Sequence, residues 1–298
     1  KNQLQFSLRG TFVEDCRRFR MQKGDIYEEF NEKSAKYREL SEVLTKNAHM
    51  LTWGEGERVV DVGCGPGDVT TQVIKPWLRA DYSLLLGLDI SPKMTQHGMT
   101  HHVDDRVTFE TLDIGSDISH FLESDLYGGG FNKIISFYVM NWVKDLLKGV
   151  SNLFRLLKPG GQALLMFPVN RNFQKTYRII SDKEPWRQYF KNITRTISPY
   201  LSGEDPCGEF QELLKESGFE IVKCETHHKH DVFESVGVLK ELIESLDQYI
   251  ICVPLELKAK YLDDCVQVMR EMKALEIDNG KALVNVTKIV SVIRKPLV

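Results

Sequence analysis

The 298-residue sequence predicts an α/β protein: a Rossmann-like, mostly parallel sheet of seven strands with an added cap of helices. Three observations lead there. Short apolar runs alternate with helical periods between residues 58 and 167. The first run ends in alternating glycines just after an acid, and beyond Phe167 the alternation lapses into a long helical pattern.

The first run, Arg58-Val59-Val60-Asp61-Val62, is β-branched as a buried parallel strand should be. Gly63, Gly65 and Gly67 follow it and provide positive φ and room for a ligand to touch the backbone. From Thr70 a helical period begins, carried by Val73, Ile74 and Trp77. The spacing is Gly-x-Gly-x-Gly, which departs from the dinucleotide fingerprint, and no Gly-Lys-Ser/Thr follows, so NAD and ATP are disfavoured.

Further strands are predicted at 84–88, 107–112, 131–137, 163–167, 219–227 and 284–293. The second ends at Asp89, an acid placed at a strand tip where it can accept two ribose hydroxyls; capping the helix after Ser91-Pro92 is the other reading. The third ends at Asp113-Ile114, which also fits an exposed turn. The fourth runs into Ser136-Phe137-Tyr138-Val139-Met140-Asn141-Trp142, the loop in which active-site residues of an open parallel sheet belong. Helices are expected at 25–51, 145–157, 171–180, 186–193, 209–217, 232–249 and 255–275. The chain then divides into residues 1–20, a disordered or non-native leader ahead of Met21, and a single domain over 21–298 with cap helices within 21–51, 171–205 and 231–276.

A net charge of −3 offers no reason to expect nucleic acid as a partner. No apolar stretch approaches a membrane span. Six cysteines are scattered without any Cys-x-x-Cys, as in a reducing compartment. The expectation is a cytoplasmic monomer or homodimer acting on a small molecule. The histidine groups His97, His101, His102 and His227, His228, His230 have no cysteines nearby, and adjacent strand residues face opposite ways, so no metal is expected.

The acid two residues before the glycine turn resembles motif I of class I S-adenosylmethionine (SAM)-dependent methyltransferases. Leu157-Lys158-Pro159-Gly160-Gly161 is also typical of them. Asp25-Ile26-Tyr27, Asn31 and Ser34, with Glu184-x-Trp186, Ile197-Ser198-Pro199-Tyr200, Glu204-Asp205-Pro206 and 268–272, resemble the juvenile hormone acid methyltransferases of arthropods.

That resemblance implies SAM as cofactor, S-adenosylhomocysteine as product, and no metal. It places Tyr27, Asn31, Asp61, Gly63, Cys64, Gly65, Asp89, Ile90, Asp113, Ile114 and Ser136 at the cofactor. Asn141, Trp142 and Ser34 would hold the acceptor carboxylate, and Tyr138, Trp186 and Phe190 would line the substrate pocket. The expected reaction is direct in-line methylation of a sesquiterpenoid acid, farnesoic acid or juvenile hormone acid, to its methyl ester. Two positions depart from the family: its glutamine is Ser34 here, and its histidine is Asn141. Another small acceptor, or a protein that binds a juvenoid or the cofactor without turnover, also fits these departures.

Overall fold

The computed structural model describes residues 28, 36–169, 171–190, 201, 203–247 and 250–297. Residues 1–20, together with Tyr27, Asn31 and Ser34, lie outside the described residues. The described residues divide into two compact units, one drawn from 24–171, 196–231 and 285–298, the other from 172–195 and 232–284.

The first unit opens with helix α1 (Lys36–Asn47), which buries Leu40, Val43 and Leu44. Strand β1 (Arg58–Val62) is followed by α2, a π-helical turn over Thr70–Ile74 continued by Lys75–Trp77. Next come β2 (Leu84–Asp89), α3 (Pro92–His101), β3 (Val107–Thr111), the short α4 (Ser119–Leu122) and β4 (Phe131–Phe137). A 3₁₀ turn (Met140–Trp142) leads to α5 (Leu146–Leu156), whose first turn is capped by the Asp145 side chain accepting from Lys148 N. Strand β5 (Leu157–Val169) then enters the sheet. The predicted Lys-Pro-Gly-Gly turn is the start of this strand: Leu157 pairs with Phe131, and the register shifts before Gln162 pairs with Lys133.

The second unit contains α6 (Arg171–Asp182), of which 172 onward belongs to it, and α7 (Arg187–Phe190). The chain returns to the first unit with α8 (Pro206–Glu216) and β6 (Glu220–Phe233). In the second unit again are α9 (Val236–Leu246), α10 (Lys258–Glu271) and β7 (Leu275–Asp278). The last element is β8 (Lys281–Arg294).

The strand order is β3-β2-β1-β4-β5-β8-β6. Strands β1 to β5 pair in parallel, and β8 runs antiparallel to β5. All seven expected strands are present. An eighth, β7, forms a hairpin with β8 through Asn279 and Gly280, both at positive φ, where a helix end had been expected. Only Leu275 of its four residues is buried, so its apolar signal is weak.

The β1–β5 run is apolar on both faces because helices cover both. One cluster packs Val60, Leu86, Ile134 and Leu165 with α5 and α8, and the other packs Val59, Leu85, Ile135 and Leu164 with α1 and α2. The carboxyl ends of β1, β2 and β4 therefore open at one edge, with the glycine turn and the β4 loop beside them.

Candidate active site

The glycine turn is held from both sides. Gly63 N and Cys64 N both donate to Leu88 O, at 2.6 and 3.0 Å, and Gly65 N donates to Asp89 Oδ2 at 3.0 Å. Asp89 Oδ1 accepts Ser91 N at 2.8 Å, so this carboxylate both starts α3 and pins the turn. Gly63 stands at φ +79, and a Cβ there would fall 2.0 Å from Val139 Cγ2 of the β4 loop. Only glycine fits between β1 and that loop.

Asp61 is buried, and its Oδ2 accepts Thr70 Oγ1 at 2.6 Å. Burial pushes its pKa up to about 7, with Asp68 and Asp89 adding repulsion against the Thr70 hydrogen bond and the Lys36 charge. Burial raises Asp89 as well, opposed by its two backbone donors. Asp68 accepts the Tyr37 hydroxyl from α1 at 2.7 Å. Cys64 is buried, and its thiol is pushed up by burial and by Asp89. Three carboxylates thus converge on a turn whose alternate residues, Gly63, Gly65 and Gly67, carry no side chain.

At the other strand tips, Ile90 is 53% exposed and Ile114 is buried. Asp113 closes a local turn, accepting Gly115 N at 2.9 Å and Ser116 Oγ at 2.7 Å. Ser136 donates its hydroxyl to Val62 O at 2.8 Å, which ties β4 to β1.

Tyr138 is the first residue past β4 and takes φ +63, a left-handed conformation rare for an aromatic residue. Its N–H donates to Met166 O at 2.7 Å and its hydroxyl to Glu39 Oε2 at 2.6 Å. Lys288 of β8, 1% exposed at its side chain, donates to both Glu39 oxygens, to Asp231 Oδ1 at 2.6 Å and to the Tyr138 hydroxyl at 3.1 Å. Asn141 and Trp142 occupy the 3₁₀ turn that follows, with Trp142 43% exposed.

This donor set fits a cationic, adenosyl-bearing cofactor: an electronegative turn of open backbone, a carboxylate at the β2 tip, and exposed Ile90 beside it. Residues 29–224 match the family described as "Methyltransferase domain". A juvenile hormone acid O-methyltransferase of Bombyx mori is 31% identical over 87% of this chain and 90% of its own length. One of Drosophila melanogaster is 30% identical over 80% of each. The chain belongs to the juvenile hormone acid O-methyltransferase family. As a member of it, the protein is a SAM-dependent O-methyltransferase. Its fold is similar to that of Haemonchus contortus phosphoethanolamine N-methyltransferase 2 solved with SAM, at TM-score 0.54 and 17% identity, over 96% of this chain and 60% of that one.

Within this O-methyltransferase, Asp61, Gly63, Cys64, Gly65, Asp89 and Ile90 lie together at the carboxyl ends of β1 and β2. Tyr138, Asn141 and Trp142 share the β4 loop that meets Gly63 through Val139. Trp186 and Phe190 lie in the second unit, buried against Tyr261, and Trp186 Nε1 donates to Asp264 Oδ2 at 2.8 Å. The packing of that unit accounts for both rings. Asp205-Pro206 is likewise architectural: Asp205 caps α8 by accepting Gly208 N.

Sequence reasoning passed over Thr70, Glu39, Asp231 and Lys288. Thr70 had a signal, a hydroxyl at the first position of the element after the glycines. The other three are not legible as a set, since each lies on a different element, and only Lys288 stands out, as a charge within an apolar strand.

Proposed function

We propose that the enzyme converts a sesquiterpenoid carboxylic acid, farnesoic acid or juvenile hormone acid, to its methyl ester in the cytoplasm. The observation that carries this reading is the β4 loop. Its first five residues, 138–142, carry the amide of Asn141 and the indole of Trp142, and the Tyr138 hydroxyl among them is engaged by Glu39 and Lys288. The side chains of residues 138–142 include no imidazole, amine or carboxylate, and the Glu39 carboxylate and Lys288 amine beside Tyr138 are paired with each other, which supports an acceptor that arrives as a nucleophile already. A carboxylate does, since its pKa lies near ~4.

When bound, SAM supplies an electrophilic sulfonium methyl group. The glycine turn and Asp89 would hold its adenosyl and amino-acid ends, and Asp61, through the turn, would favour the positive charge. Asn141 and Trp142 donate to the acceptor carboxylate and aim one oxygen at the methyl group. Orientation of this kind can supply on the order of 7–11 kcal/mol. Both charges vanish as ester and thioether form, so a dry apolar surround favours the transition state. Tyr138 and the exposed Trp142 face are suited to a terpenoid chain.

The familial relationship supports the acid. The asparagine at 141 leaves open which acid, because an amide holds a carboxylate less strongly than a protonated histidine would. The test is methyl transfer from labelled SAM to farnesoic acid, juvenile hormone acid and a panel of fatty and aromatic acids. Terpenoid ester formation that vanishes in Gly63→Ala and is altered in Asn141→His supports the reading. Intact SAM binding with no ester from any acid would overturn it.

A further inference from the structure

We propose that Glu28, His97 and His102 form a site for a divalent transition-metal ion of the zinc type, on the α3 side of the glycine turn. His97 lies on α3 and His102 immediately after it, and Glu28 reaches them from ahead of α1. Glu28 Oε1 stands 2.9 Å from His97 Nε2 and 2.6 Å from His102 Nε2, and one ligand atom from each residue lies within 4.8 Å of the others. Zinc bonds of about 2.0–2.2 Å would set tetrahedral ligand atoms roughly 3.3 Å apart, so each Glu28–histidine separation would widen by roughly 0.4–0.7 Å.

The hydrogen bonding around the cluster favours a shared cation. Thr71 Oγ1 lies 3.0 Å from Gly67 O and 3.1 Å from His102 Nδ1. Its single proton goes to the carbonyl, so Nδ1 carries the ring proton and donates to the hydroxyl. A neutral His102 then points the Nε2 lone pair at a carboxylate oxygen, acceptor against acceptor. Either a second ring proton or a metal ion between them removes that conflict, and with a metal the Nδ1–H···Oγ1 bond becomes the outer-shell contact that fixes a ligating imidazole. His97 is oriented too: His101 stacks on it at 4.2 Å between centroids, and His101 Nδ1 lies 3.0 Å from His97 O.

Two imidazoles and a carboxylate suit zinc, nickel or copper better than magnesium or calcium. The three side chains are 11%, 13% and 29% exposed, so water can reach a fourth coordination position. The histidines alone did not point here, because the third ligand lies 69 positions away in sequence from the first of them.

The experiment is titration of the EDTA-treated, untagged full chain with Zn²⁺ by calorimetry and with Co²⁺ by visible absorption, with Mg²⁺ as control. One equivalent of Zn²⁺ should bind, with cobalt d–d bands and no magnesium response. Glu28→Gln, His97→Gln and His102→Gln should each weaken it about tenfold or more, and Thr71→Val should weaken it by a smaller factor. Melting curves and SAM binding in EDTA establish that each variant is folded. Should a histidine variant fail to fold, Glu28→Gln and Thr71→Val still carry the test. Absence of zinc binding at micromolar concentrations, or binding unchanged in the folded variants, would overturn the proposal.

Discussion

The hydroxyl of Tyr138 donates to the Glu39 carboxylate at 2.6 Å, joining the loop past β4 to α1 across 99 positions of sequence. Both groups depend on Lys288, which stands between Glu39 and Asp231. Replacing it by methionine removes the buried cation that both carboxylates share and leaves the half-exposed Lys229 as their remaining one, and breaking a buried pair in this way typically costs about 3–5 kcal/mol. Urea unfolding of Lys288→Met at neutral pH should register a loss of that order. Burial raises Glu39, but Lys288, Tyr138 and Lys229 outweigh it, so its pKa is lowered. A lowered carboxyl stabilises the fold above its unfolded pKa and loses that contribution as pH falls through the folded value. Without Lys288 the largest favourable part of this contribution is gone, so the gap between wild type and variant should narrow in acid; a gap independent of pH would refute the assignment.

Asp61 titrates near neutrality in the free enzyme, with a pKa of about 7 set chiefly by burial. A folded pKa raised above the unfolded value stabilises the fold at low pH, and that contribution is lost as pH rises through about 7. Binding of a cationic cofactor favours the ionised form. SAM affinity should therefore rise with pH through about 7, with proton release on binding, and both effects should disappear in Asp61→Asn. Calorimetry in buffers of different ionisation enthalpy measures the released proton directly.

Gly63 meets two separate constraints, its φ of +79 and the Val139 side chain. Gly63→Ala should lower the melting temperature and abolish SAM binding. Adding Val139→Ala removes the 2.0 Å overlap but not the left-handed backbone, which costs a non-glycine residue about 1–2 kcal/mol. The double variant should recover stability only in part. Full recovery would mean that sterics alone select glycine.

Trp186 provides a separation of packing from substrate contact. Phenylalanine there loses the bond to Asp264 and leaves a gap beside Tyr261, for an expected loss of about 1–3 kcal/mol. If the indole serves only the second unit, KM for the acid should be unchanged in the folded variant. A raised KM at normal kcat would place the ring at the substrate.

Much of the catalytic edge was legible because its parts are local. A β-branched run, an acid and three glycines are consecutive, and Asp89 ends its own strand, so period and punctuation alone locate them. The network around Lys288 was not legible, since its four members sit on α1, the β4 loop, β6 and β8 and only strand pairing brings them together. Lysine at the middle of a mostly apolar strand was the one available hint. The β7 hairpin was missed for a different reason: Asn279-Gly280 is a strong turn signal, but four residues with one buried side chain provide no period to read.

Strand β8 is inserted between β5 and β6, although it is the last strand in the sequence. The sheet therefore cannot close in the order of synthesis. Strands β1 to β5 can assemble as they emerge, whereas β6 must wait for a neighbour made later, and Glu39 and Asp231 wait with it for the ammonium that β8 carries. Pairings so distant in sequence are slow to form. A nascent chain interrupted before residue 281 would expose the open edge of β5, a template for pairing with other chains, and chaperone capture should be greatest at that length.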